Sequence, residues 1–72
     1  MIEEDIRTRI LEGMPNSEIS VSVEGNKVNI TVVSALLSDL NRVQRHQLIY
    51  KYIEDYISDG TLHAVKIIAR SD

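Results

Sequence analysis

Two histidines and a short basic run are the side chains with the most chemical reach in this sequence. His63 opens the stretch Thr61–Ala69, the most apolar run of the chain, just after the turn pair Asp59-Gly60. Side chains alternate faces along a strand, so His63, Val65, Ile67 and Ala69 share one parity. The imidazole is therefore in line with an expected core face, at the end where that face opens to solvent. A ring nitrogen there can ligate a metal, change charge near neutral pH, or edge the core. His46 falls within the apolar stripe of a long helical segment, where a buried, hydrogen-bonded core residue is expected. There is no cysteine. That excludes disulfides, cysteine nucleophiles, zinc fingers and any iron–sulfur cluster held by the chain's own thiolates. A cluster whose thiolates come from another molecule is compatible with the composition.

Arg42, Arg45 and Lys51 fall in an acid-free segment from Asn41 to Lys51, whereas Glu3, Glu4, Asp5 and Glu12 crowd the first dozen residues. The net charge of -3 gives no global basic footprint for nucleic acid. The local run could still contact phosphates. On a helix, Arg45 points to the outer face, Arg42 flanks the core stripe and Lys51 points elsewhere. Leu48 and Tyr52, one turn apart on the expected solvent face, form a candidate protein contact. Catalysis has no such support. The spacing assembles no Ser–His–acid set or glycine-rich phosphate loop, and Glu54 and Asp55 are helix neighbours whose side chains diverge. A non-enzymatic protein is expected.

The elements that must position these groups follow from hydrophobic period. Ile2, Ile6 and Ile10, with Leu11 and Met14 adjoining, mark one face of a helix whose acidic first turn suits the helix dipole. Glu3–Arg7 and Asp5–Arg9 have i,i+4 spacing, and Gly13 and Pro15 stop the helix. Ile19, Val21 and Val23, then Val28, Ile30 and Val32, alternate with polar residues around Glu24-Gly25-Asn26, which predicts a β-hairpin. Ser34–Leu40 is an irregular connector with room for a short helical turn. Asn41 and Gln44 have capping-box spacing. From there to about Ile57 one helix is expected, with Val43, His46, Ile49, Tyr50, Ile53, Tyr56 and Ile57 on its buried face and Arg45, Leu48 and Tyr52 opposite. Gly60 stops it in a left-handed conformation. The last strand, returning after a helix, should run parallel to one hairpin strand through a right-handed crossover. The expected fold is α+β, in α-β-β-α-(α)-β order: one domain over residues 1–72, with a three-stranded mixed sheet and helices on one face. Acids rather than a basic, apolar leader open the chain, and no run approaches a membrane span of roughly 18 apolar residues. A soluble, cytoplasmic protein is expected.

Two segments then resemble a known family. Leu37-Ser38-Asp39-Leu40-Asn41-Arg42-Val43-Gln44-Arg45-His46-Gln47-Leu48-Ile49-Tyr50 is similar to the central motif of BolA-like proteins, and Leu62-His63-Ala64-Val65-Lys66-Ile67-Ile68-Ala69 to that family's apolar–His–Ala strand. The likeness covers nearly the whole chain and is strongest to the short bacterial IbaG branch. It implies a fold like the class II KH domain. It also implies association with a monothiol glutaredoxin, in part through a shared [2Fe-2S] cluster for which the glutaredoxin and a glutathione supply thiolates and His63 supplies the BolA-side ligand. Three features depart from the pattern. Lys27 stands where many relatives carry a hairpin His or Cys. Leu37 and Asp39 replace an aromatic and a glycine. The sequence stops soon after the last strand. A protonated lysine has no lone pair to offer, so the cluster sharing that the resemblance implies rests on His63 together with a second donor that the sequence does not name. The expected partner surface joins the strand end, Glu24 and Lys27 of the hairpin, and Arg42 and Arg45 of the helix start. The alternative that the family suggests is a KH-like, nucleic-acid-binding transcription regulator using Arg42, Arg45 and Lys51.

Overall fold

A computed structural model describes residues 2–71. The elements are α1 (Ile2–Gly13), β1 (Glu18–Glu24), β2 (Lys27–Val33), a 3-10 turn (Ala35–Leu37), α2 (Arg42–Tyr50), α3 (Glu54–Ser58) and β3 (Ala64–Arg70). β2 is the central strand, antiparallel to β1 and parallel to β3. Central placement explains its burial: Val28, Ile30 and Val32 are almost wholly covered, while Val21 and Ile67, opposite Ile30 on the flanking strands, are half-buried. The helices cover this one face. Ile6, Ile10, Met14, Leu37, Ile49, Ile53 and Leu62 complete the core.

The local signals at the element ends act as expected. Gly25 takes φ 58° at the first position of the two-residue hairpin loop, where glycine carries no Cβ penalty. Asn41 and Gln44 form the reciprocal capping box, each side chain accepting from the other's backbone N–H at 2.9 and 3.0 Å. The connector contains the short helical turn, capped by Ser34. Along α1, Asp5 pairs with Arg9 at 2.9 Å. Glu3 is engaged differently: its carboxylate accepts the Val23 backbone N–H at 2.8 Å and ties the first helix to β1.

The long helix expected from Asn41 to Ile57 is broken between Tyr50 and Glu54. No Gly or Pro marks the break. In a continuous helix the Tyr52 carbonyl would accept from the N–H of Tyr56. Here it accepts from the Arg9 guanidinium at 2.9 Å, and Ile53 leaves helical geometry at φ -124° and ψ 7°. The Tyr52 ring lies over Gly13, so close that a Cβ at Gly13 would meet the hydroxyl at 1.9 Å. Gly13 thus matters for close approach rather than for a left-handed stop; the positive φ of 70° falls on Asn16.

The buried face of α2 is also turned from the expected one. Val43 is 64% exposed and Tyr50 37%, whereas Leu48 and Tyr52, expected on the solvent side, pack against the core. His46 is half-buried on the helix flank instead of in the core. The cause is Arg45, which points inward. Its Nε donates to the carbonyls of Leu37 and Leu40 at 3.0 and 2.9 Å, and its Nη1 to Ala69 at 3.3 Å. A charged fork that satisfies three backbone carbonyls can occupy a position that a hydrophobicity count assigns to solvent.

Candidate functional site

His63 lies immediately before β3, where the last crossover meets the hairpin loop. The loop that carries it is fixed at successive points. The Gly60 N–H donates to Ile57 at 3.2 Å, the Leu62 N–H to Tyr56 at 3.1 Å, and the Thr61 N–H to the Asp59 carboxylate at 2.9 Å. The Thr61 hydrogen bonds hold the Asp59 carboxyl below the usual carboxylate range. The His63 and Ala64 N–H groups both donate to the Asn26 carbonyl, at 2.8 and 3.2 Å. Leu62 is fully buried although it has the opposite parity to the core residues of β3. The chain is not yet a strand at Leu62, so the alternation rule does not reach it. The buried leucine pins the loop, and His63 beside it remains exposed.

Gly60 shapes the space around the ring. It has φ 84°, the left-handed conformation expected of it. A Cβ there would stand 3.9 Å from both Cε1 and Nε2 of His63. No hydrogen bond engages the imidazole among the described residues. The site is an accessible imidazole on a hydrogen-bonded mount, beside a two-residue loop. Such a group can offer a lone pair to a metal that arrives on another molecule. No group of three or more His, Cys, Asp or Glu side chains that could hold a metal occurs among the described residues.

The hairpin residues singled out from the sequence do reach this end. Lys27 pairs with Ala64, next in chain to His63, and Glu24 pairs with Lys27 across the hairpin. Neither arginine of the helix start lines the hollow that Lys27 shares with Ala64, although Arg42 meets β3 as near to His63 as Val65 and Lys66. Arg42 and Arg45 line a groove with Ile67, Ile68 and Ala69, further along β3. Ala69 is five residues from Ala64, a rise of about 16 Å at strand spacing. Arg45 is moreover engaged inward, and Lys51 lines a separate hollow with Gln44, Gln47 and Glu54. Of the cations expected to contact phosphate, Lys51 is thus on a different surface from Arg42 and Arg45. Two supporting residues escaped sequence reasoning. Leu62 is hidden by its parity. Asn26 acts through its backbone carbonyl, which no side-chain pattern reports.

Residues 14–72 match the family model described as BolA-like protein. The chain belongs to the BolA-like family. It is a short protein of the BolA/IbaG type. It is 35% identical over 66 residues to an uncharacterised protein of Buchnera aphidicola subsp. Baizongia pistaciae, covering 92% of this chain and 84% of that one. To the acid stress protein IbaG of Escherichia coli K12 it is 29% identical over 69 residues, covering 96% and 82%. Among solved structures, BolA1 from Arabidopsis thaliana superposes with a TM-score of 0.84 at 21% identity, covering 96% of this chain and 89% of that one. The BolA domain of SufE1 from the same plant gives 0.83 at 25% identity, covering 97% and 91%. The BolA-like α+β fold, with one mixed sheet and helices on one face, is thus shared across low identity. No helix of the described BolA-like chain is long and apolar enough to cross a membrane.

Proposed function

We propose that this BolA-like chain is a non-enzymatic adaptor in iron–sulfur cluster assembly or trafficking, acting in the cytoplasm with a monothiol glutaredoxin. The observation that carries the reading is the exposed His63 imidazole on its fixed mount beside the hairpin loop. A [2Fe-2S] cluster shared between the two proteins would take thiolates from the glutaredoxin and a glutathione, and one nitrogen from His63. The cluster supplies the bridging metal that makes the complex tighter than surface contact alone.

The residues of this chain have separable parts in that scheme. His63 offers the lone pair. Asn26, through its carbonyl, and Leu62, through burial, hold the backbone that presents it. Glu24 and Lys27 give the adjoining surface both signs of charge for partner choice. Lys27, as an ammonium, would offer no lone pair, so the scheme needs a second donor besides His63 to complete the four terminal ligands of the cluster. The groove that holds Arg45 is further along β3 and is not needed for this contact.

The test mixes the chain with cluster-loaded glutaredoxin and follows visible absorption and circular dichroism. Wild type should change the cluster spectrum, and His63→Ala should leave it as it is in glutaredoxin alone. An unchanged spectrum with wild type would remove cluster sharing from the proposal.

A further inference from the structure

The outer edge of β3 pairs with no other strand: the sheet order places β3 at one border, beside β2 only. The direction of its backbone groups follows from two contacts. The Arg70 carbonyl accepts from the Ser34 N–H, on the β2 side, and the Ala69 carbonyl accepts from Arg45, on the outer side. Backbone groups of successive strand residues point to alternate sides. The N–H and C=O groups of Val65 and Ile67 therefore face the open border. Arg45 covers the Ala69 end of that border and leaves the Val65–Ile67 part accessible.

This border opens into a groove of about 540 Å³ between α2 and β3. Arg42, His46 and Tyr50 line its helix side, and Lys66, Ile67 and Ile68 its strand side. Ile68 is 41% exposed on the face of the sheet that no helix covers, and Tyr50 is 37% exposed across the groove. Apolar surface is thus present on both sides of the border. Arg42 and Lys66 bring one cation to each side, no acid lines the groove, and neither cation is in an ion pair among the described residues. On a chain of net charge -3 this is a local reversal of sign.

We infer that the groove binds an extended peptide segment of a partner protein, added as a fourth strand along β3, with carboxylates set beside apolar side chains. The backbone edge offers alternating donors and acceptors, which match another peptide backbone. Phosphate groups present acceptors only and cannot match the Val65 and Ile67 carbonyls, whereas a peptide backbone matches donors and acceptors alike. A second copy of this chain, paired edge to edge about a two-fold axis, would bring like cations of both copies into the same seam, which disfavours it. Carboxylates opposite Lys66 and Arg42, with branched apolar side chains opposite Ile68 and Tyr50, satisfy the same seam. The groove begins at Val65, two residues past His63, and the proposal does not depend on cluster sharing.

The experiment titrates the isotope-labelled full chain with a synthetic peptide of repeating Glu-Glu-Val-Val pattern, which sets carboxylates and apolar side chains on both faces of an extended strand, and follows backbone amides by NMR. The Val65 and Ile67 amides should shift and gain exchange protection. The double reversal R42E/K66E, at two exposed positions, should weaken this peptide about tenfold or more and prefer the Lys version of the same peptide. The amide spectrum of the variant reports that it is folded. Failure of the acidic peptide to move the β3 amides overturns the proposal. So does single-stranded DNA moving them at moderate salt while the peptide does not, and so does protection of these amides in the concentrated chain alone, which would assign the edge to a second copy.

Discussion

Arg45 gives the sharpest test of the fold, because its place inside the structure opposes the outward position that helical periodicity assigns to it. Arg45→Met keeps most of the aliphatic stem and removes the guanidinium. The Nε hydrogen is shared between the Leu37 and Leu40 carbonyls at 3.0 and 2.9 Å, and Nη1 makes one longer bond to Ala69 at 3.3 Å. The set therefore counts as about two charge-assisted bonds, each worth about 1.5–3 kcal/mol, and water recovers part of that because the site is only partly buried, leaving a net loss of about 2 kcal/mol. For a domain of this size such a loss lowers Tm by about 8–16 °C. Thermal and urea unfolding followed by far-ultraviolet circular dichroism would read it, with Arg42→Met as the control. Arg42 is exposed and makes none of these bonds, so its replacement should stay within about 0.5 kcal/mol of wild type. Arg45→Lys should fall between, since an ammonium lacks the planar fork that reaches both groups of carbonyls. If Arg45→Met matches wild type within about 0.5 kcal/mol, the inward geometry of this side chain is refuted.

Other expectations concern the core, the cap, the tie between helices and the hairpin loop. Leu62→Ala should cost about 2–5 kcal/mol, as for other fully buried leucines, and should weaken cluster sharing by loosening the mount of His63; His63→Ala should leave urea unfolding nearly unchanged while abolishing the spectral change. Asn41→Ala should cost about 1 kcal/mol through loss of the capping box, read by the same unfolding curves. The Arg9 hydrogen bond holds Asp55 below its ordinary carboxylate range, and the folded state gains from the ionised form. That contribution is present above the unfolded carboxylate range and is lost as pH falls through the depressed folded pKa, so wild type and Asp55→Asn should differ at neutral pH and converge in acid titrations of stability. Lys27→His should prolong cluster retention in the mixed complex if the hairpin faces the metal, measured as the decay of visible circular dichroism; an unchanged lifetime would place the metal away from that loop.

Much of the fold was legible because its signals are local. The isoleucine spacing of α1, the alternation in the hairpin, the Asn41–Gln44 box and the left-handed Gly60 each depend on residues a few positions apart. The parallel return of β3 followed from the helical crossover that precedes it. The second helix was misread in a consistent direction. Periodicity treats arginine as a solvent residue and tyrosine as a core residue, and it continues a helix until a breaker ends it. Arg45 and Tyr50 reverse the first two assumptions, and Arg9 reverses the third by taking the Tyr52 carbonyl. His46 lost its core place through the same rotation. At the candidate site, residue type and position singled out His63, but neither Leu62 beneath it nor the Asn26 carbonyl beside it could be read from a pattern.

By itself the sequence determined the order of the elements, the hairpin and the one imidazole placed at the end of a strand, since each depends on chemistry between near neighbours in the chain. Only the tertiary structure decided which face of α2 is buried, where that helix breaks, and that Arg45 turns inward toward the far end of β3. Those outcomes depend on backbone carbonyls of Leu37, Leu40, Tyr52 and Ala69 finding arginine donors from other elements. A carbonyl that needs a partner is present at every residue and distinguishes none of them until the chain is folded.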